Sequence, residues 1–272
     1  MRRSPQGFVL GGEDEVKMSE RLVRGTANQQ GRNILVHPGN SSMRQVSYGR
    51  IRLGGAKKEV SFANEGQETG LICLKGACEI LAGGKTFSLR RNDALYVPKG
   101  LSITVQAASD VDLVECFAPA EGDYPLQFVS GEAVRKDEKL HFVSGTASAQ
   151  REINILLGSN IQAGRLVAGI TRSVPGNWTS WPPHEHARML EEIYVFVDMP
   201  EPSFGLQLVY TAGISAAEVE VVRDGDAVLL PEGYHPNVAI PGASLNFVWI
   251  MAAHREVVDR KWGVVQVDPR YA

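Results

Sequence analysis

Trp181-Pro182-Pro183-His184-Glu185-His186-Ala187-Arg188-Met189-Leu190-Glu191-Glu192-Ile193-Tyr194-Val195-Phe196 decides the reading of this chain, and Pro231-Glu232-Gly233-Tyr234-His235-Pro236 answers it downstream. Half of the six histidines sit in these two segments. His184 and His186 are two residues apart, the period at which strand side chains share a face, so an extended backbone aims both imidazoles at one point. Glu192 follows six residues after His186, and a later strand supplies His235. Imidazole and carboxylate donors in this combination suit a divalent transition metal that keeps positions open for substrate. The same period puts Glu192 on the face of Tyr194 and Phe196, and it sends Glu191 to the opposite face, toward solvent or a partner subunit.

Outward from this stretch, the pattern is all-β. Short apolar runs such as Val46 to Leu53, Leu71 to Leu74, Lys85 to Leu89, Ile193 to Val197 and Leu245 to Met251 alternate with Gly, Pro and Asn, as strands of a sandwich or barrel do. Gly83-Gly84 marks a hairpin turn. Asp93-Ala94-Leu95-Tyr96-Val97-Pro98-Lys99-Gly100 returns as Asp226-Ala227-Val228-Leu229-Leu230-Pro231-Glu232-Gly233, an offset of 133. A phrase repeated at about half the chain length points to a duplicated β-domain. The expected division is 1–140 for the first copy and 141–272 for the second, with residues 1 to about 30 as a loosely held arm. Only the second copy carries ligands: Ser102 stands in the first where His235 stands in the second, and no His-x-His precedes it.

Composition narrows the class. The chain has 272 residues, 43% hydrophobic and 22% charged, with a formal net charge of −3 and a pI near 6.1. Without a basic stripe, nucleic acid is not an expected partner. No apolar run approaches the roughly 20 residues of a membrane span, and a cytoplasmic protein without membrane contact is expected. Cys73, Cys78 and Cys116 are odd in number and lack paired metal spacing, so they read as buried free thiols.

Pro175 to His186, Leu190 to Tyr194 and Asp226 to Pro236 together resemble the 5-deoxy-glucuronate isomerases of inositol catabolism, which are related to the 5-keto-4-deoxyuronate isomerases of pectin breakdown. The resemblance extends over roughly residues 150 to 270 and implies a bicupin: two double-stranded β-helix (jelly-roll) barrels, with one divalent metal per chain (Zn, Mn, Fe or Ni) held by His184, His186, Glu192 and His235. It also implies metal-dependent aldose-ketose isomerisation of a deoxy-uronate, a small acidic sugar. Proton carriers would come from Tyr234, Tyr194, Glu191 and His254, and Gln207 adds a substrate contact. Arg188, Arg172 and Arg255 are the cations available for a substrate carboxylate. A homo-oligomer is expected because exposed barrel edges are usually covered. Two other classes fit the same ligands, a metal cupin that only binds a small molecule and an oxygen-using iron cupin.

Overall fold

Strands supply nearly all the regular structure of the computed structural model, which describes residues 16–272. The one α-helix among these residues is Gly131–Arg135. The first barrel pairs a six-stranded sheet, in the order Gln127–Val129, Ala94–Val97, Gln67–Lys75, Val111–Pro119, Ser47–Leu53 and Gly31–Val36, with a four-stranded sheet. The second barrel repeats the plan. Its large sheet runs Ala227–Leu230, Leu190–Phe196, Asn246–Ala253, Leu166–Ser173, Arg151–Leu157 and His141–Ser144, opposed by a four-stranded sheet of Trp178–Thr179, Asn237–Ala239, Gly205–Val209 and Glu218–Val222. This is the expected bicupin.

The repeat holds residue by residue. Thr69 lies opposite Val97 and Phe117, and Glu192 lies opposite Leu230 and Met251. The register therefore makes Thr69 the counterpart of Glu192, Leu71 that of Tyr194, and Glu68 that of Glu191.

One part of the expected division changes. Leu22–Arg24 adds to the second barrel's large sheet, with Leu22 opposite Val228 and Val23 opposite Ala227, and Lys17–Met18 pairs beside it. Leu22 and Val23 are buried there, so the apolar side chains of this short strand are covered by the later barrel. Residues 16–24 therefore belong with the second barrel's sheet, and the described part of the N-terminal arm is held in it. The rest of that arm, residues 1–15, lies outside the described residues.

The two large sheets are buried on both faces. All of Leu190–Phe196 and Asn246–Ala253 are buried, as is most of Gln67–Lys75. Their outer faces join in one apolar core that runs from Tyr48, Ile72 and Val114 to Ile193, Val195 and Ile250, while Ile51, Leu71, Cys73, Leu95 and Leu113 fill the first barrel separately.

Within this joint core the barrels grip each other through two carboxylates. Glu191 is fully buried and accepts the backbone N–H groups of Arg44, Gln45 and Val46 at 2.6 to 3.1 Å. Glu68, its counterpart, is equally buried and accepts the N–H groups of Gly164, Arg165 and Leu166 at 2.6 to 2.8 Å, with the Tyr96 hydroxyl donating at 2.5 Å. Each barrel thus holds the chain entering a strand of the other. The expectation that Glu191 faces solvent or carries protons is corrected here: it does lie on the face opposite Glu192, but the other barrel covers that face.

Where the second barrel has its ligands, the first has polar side chains that bind one another. Thr69 Oγ1 accepts from Asn64 Nδ2 at 2.8 Å, and Arg32 closes a bidentate pair with buried Glu115 at 2.8 Å and donates to Asn64 Oδ1 at 2.7 Å. Polar groups that satisfy one another replace the open ligand set.

The three cysteines are free and buried. Burial pushes the Cys73 and Cys78 thiols up to about 12, with Cys78 adding to the effect on Cys73, and raises Cys116 further. Because the thiolate is the nucleophile, none of the three should react with a thiol reagent such as DTNB at pH 8 in the native protein, and all three should react once urea unfolds it. Rapid native labelling of any of them would contradict this packing.

Candidate metal centre

The His-x-His segment is held as a short ribbon. His184–Glu185 pairs with Gln266–Val267 near the C-terminus, and the Asp268 N–H donates to Pro183 O at 2.9 Å. Asp268 is itself fixed by the Tyr210 hydroxyl at 2.9 Å and by Arg270. Glu192 comes from the central strand Leu190–Phe196, and His235 follows the turn at Gly233, where φ is +103°.

These elements converge. His186, Glu192 and His235 bring their ligand atoms within 4.8 Å of one another, and all three are buried. Glu192 Oε2 lies 3.0 Å from His186 Nε2 and 3.3 Å from His235 Nε2. His184 stands beside them, its ring centroid 5.1 Å from that of His235 and 6.3 Å from that of His186. The compact group thus has three members, with His184 adjacent to it.

The outer nitrogens define what the inner ones can do. His184 Nδ1 is 2.9 Å from Pro182 O and His235 Nδ1 is 2.7 Å from Gly233 O, while His186 Nδ1 is 3.4 Å from Leu190 O. A carbonyl only accepts, so the two shorter contacts place the imidazole hydrogen of His184 and His235 on Nδ1 and leave a lone pair on their Nε2, while His186 Nε2 meets the Glu192 carboxylate at 3.0 Å. His235 Nε2 makes no hydrogen bond although it is buried and faces a carboxylate oxygen. A buried imidazole lone pair facing a carboxylate is stabilised by a cation between them, and a divalent metal suits that role. The residues fit a metal.

The charges differ between the two histidines of the pair. Burial and the neighbouring His235 ring hold His184 down at about 3, so it is neutral, as a ligand must be. Burial alone would depress His186 and raise Glu192, but their mutual attraction outweighs it, so His186 is raised and Glu192 lowered. Burial lifts the Tyr194 hydroxyl well above its ordinary range, and it stays protonated.

A cavity of about 240 Å³ opens beside the centre, lined by His184, Glu192, Tyr194, Ser180 and Arg151 and walled by tryptophans. Tyr194 Oη is 2.8 Å from Ser180 Oγ. Trp249 lies over Gly169, where any side chain would strike its ring. A larger cavity of about 680 Å³ lies between the barrels, but the charges at its rim include paired ones, Arg50 with Asp112 and Arg91 with Asp198. Chemistry selects the smaller space.

Several expected residues are placed elsewhere. Tyr234 packs against Tyr210 at 5.4 Å, takes a hydrogen bond from Gln266 and does not line the cavity. Gln207 is fully buried and internally satisfied, donating to the carbonyls of Leu208 and His235 and accepting from Asn237, so it braces the His235 segment. Arg188 is exposed beside a different pocket. Arg172 is turned away from Thr171, which lines the cavity, and donates to Asn92 of the first barrel. Arg255 is an exposed partner of Asp259, and His254 Nε2 sits 3.0 Å from Ala187 O. Arg151, which the sequence did not single out, is among the described residues the one Arg or Lys that lines the cavity. Its only prior signal was parity with Ile153 at the start of a strand.

Two cupin barrels, one with a buried His-Glu-His group that could hold a metal beside a small cavity, define a double-barrel cupin. The profile of the KduI/IolB family matches residues 21–271, and the chain belongs to that family. Among its relatives, the 5-deoxy-glucuronate isomerase of Geobacillus kaustophilus is 29% identical over 83% of this chain and 86% of the relative. That of Bacillus licheniformis is 28% identical over 90% and 95%. The crystal structure of an IolB-like protein from Salmonella typhimurium LT2 superimposes with a TM-score of 0.80 at 25% identity, covering 90% of this chain and 96% of that one. Oxalate decarboxylase of Bacillus subtilis, a protein with Mn(II) centres, shares the fold at a TM-score of 0.54 and 12% identity, over 76% of this chain and 69% of that one. Among the described residues, no helix is long and apolar enough to cross a membrane.

Proposed function

We propose that this isomerase converts 5-deoxy-glucuronate to 2-deoxy-5-keto-gluconate in its second barrel, with one divalent metal per chain. The observation that carries the reading is the convergence of the His186 and His235 Nε2 atoms on the Glu192 carboxylate, beside a cavity sized for a small molecule. When bound to His186, Glu192 and His235, with His184 beside them, the metal would act as a Lewis acid on a substrate carbonyl oxygen. Mn belongs with Zn, Fe and Ni among the candidates.

The chain supplies the remaining chemistry. Aldose-ketose isomerisation moves one proton from the hydroxyl-bearing carbon to the aldehyde carbon, and the hydroxyl proton to the former carbonyl oxygen. Tyr194 Oη keeps its proton at neutral pH and shares it with Ser180 Oγ, so the pair can donate to a developing oxyanion on the substrate. The tryptophans give that part of the cavity an apolar wall.

An anaerobic assay with both 5-deoxy-glucuronate and 5-keto-4-deoxyuronate tests the reading. Turnover of the first should disappear on chelation and return with added metal, and in D₂O the carbon that receives the proton should carry deuterium. Turnover of the second alone would move the activity to the pectin-type reaction. If neither substrate reacts in metal-loaded protein, the isomerase assignment fails.

A further inference from the structure

The centre leaves one charged side chain of its cavity without a stated task. Arg151 lines the same space as His184, Glu192 and Tyr194, and among the described residues it is the only Arg or Lys to do so. Its Nη1 donates to Ala149 O at 3.0 Å, and among the described residues it forms no ion pair. A guanidinium is always charged and presents five donors in a planar fork that matches a carboxylate. Leaving such a group half-buried without an anion costs solvation, which Arg32, Arg50 and Arg165 recover by meeting carboxylates; Arg172 and Arg260, which also lack a carboxylate, stand outside this cavity and donate to Asn92 and to the Leu166 and Gly158 carbonyls.

The register fixes where this charge stands. Arg151 pairs with Ser173, and Ile153 two residues on pairs with Thr171, which faces Phe247. Glu192 pairs with Met251, several residues further along the same strand as Phe247. Arg151 and the His-Glu-His group therefore occupy opposite ends of the cavity. Tyr194 stands between them, within electrostatic reach of both the Glu192 carboxylate and the Arg151 guanidinium.

We infer that Arg151 is the carboxylate anchor of the substrate site, holding an open-chain sugar acid by its acid end so that its other end reaches His184 and Glu192. This deepens the isomerase reading, and it places the reacting carbons away from the carboxylate. A chain tethered at one end presents a fixed length to the centre, so the site selects acids over neutral sugars of the same length. At about 240 Å³ the cavity is below the roughly 300 Å³ at which drug-sized pockets begin, in keeping with a single small acid. The bidentate fork restricts rotation of the bound acid in a way that a lysine would not.

The test uses D-gluconate, an open-chain six-carbon acid that cannot isomerise, and neutral D-glucitol, titrated calorimetrically into full-length metal-loaded protein. Wild type should bind D-gluconate in preference to D-glucitol. R151Q should weaken D-gluconate by roughly 10- to 100-fold, the range for hydrogen bonds to a charged group, with metal content and D-glucitol binding unchanged. R151K should fall between the two, and it carries the test if R151Q does not fold. Undiminished D-gluconate binding in these variants, equal binding of acid and polyol by wild type, or binding of neither would each overturn the anchor. Absence of 5-deoxy-glucuronate turnover alongside an Arg151-dependent preference for D-gluconate would remove the isomerase reading and leave the anchor standing.

Discussion

Glu192→Gln protein will purify without its metal, and adding Mn²⁺, Zn²⁺, Fe²⁺ or Ni²⁺ will no longer raise its melting temperature. In the wild type, metal bound only by the folded state should add about 4 kcal/mol of stability at a free concentration 1,000 times the Kd. Glu192 is the one anionic ligand of the group, in contact with both His186 and His235, so its loss removes the charge that holds a dication. The apo fold should survive, because a glutamine amide N–H₂ can donate to the Nε2 lone pair that the carboxylate faces. Elemental analysis with melting curves, taken with and without chelator, separates the two effects. A Gln variant that still binds stoichiometric metal would place the centre elsewhere.

The second large effect concerns stability. Glu191→Ala and Glu68→Ala should each cost about 3–5 kcal/mol, because each removes a fully buried carboxylate that accepts from three backbone N–H groups of the other barrel. Urea unfolding checks this. The losses should exceed those of exposed carboxylates such as Glu132, whose i,i+4 pair with Lys136 is solvated. Glu191→Gln protein that remains folded should keep its metal and its turnover, because Glu191 faces away from the cavity. A large fall in turnover with unchanged stability and metal content would return Glu191 to the chemistry.

Particular residues show how far the sequence could be read. The His-x-His spacing, Glu192 and the Pro-x-Gly-x-His phrase carried the centre, because strand parity alone decides which side chains share a face. The 133-residue offset carried the duplication. Parity also put Glu191 opposite Glu192, but it could not say what covers that face. The unbroken apolar run from Ile193 to Phe196 was the available signal, since a strand buried on both sides loses its alternation. Gln207 was misread for a related reason: a lone amide in an apolar strand looks like a ligand contact until its neighbours' carbonyls are in place. Arg151 was invisible because its role depends on which strands flank the centre, and spacing along the chain does not encode that.

The strand Leu22–Arg24 gives this protein an unusual order of assembly. Its partner is Ala227–Leu230, made about 200 residues later, so at the usual pace of synthesis it waits roughly 10 to 40 s for a sheet to join. Through that interval the first barrel can close without it, and the open edge it will cover does not yet exist. Completing this edge thus brings the early chain against the strand that leads into His235, and an isolated 141–272 fragment would lack that cover. A shortened enzyme cannot be made by keeping only the half that holds the metal ligands: the two copies have divided their labour, but neither has kept a complete set of walls.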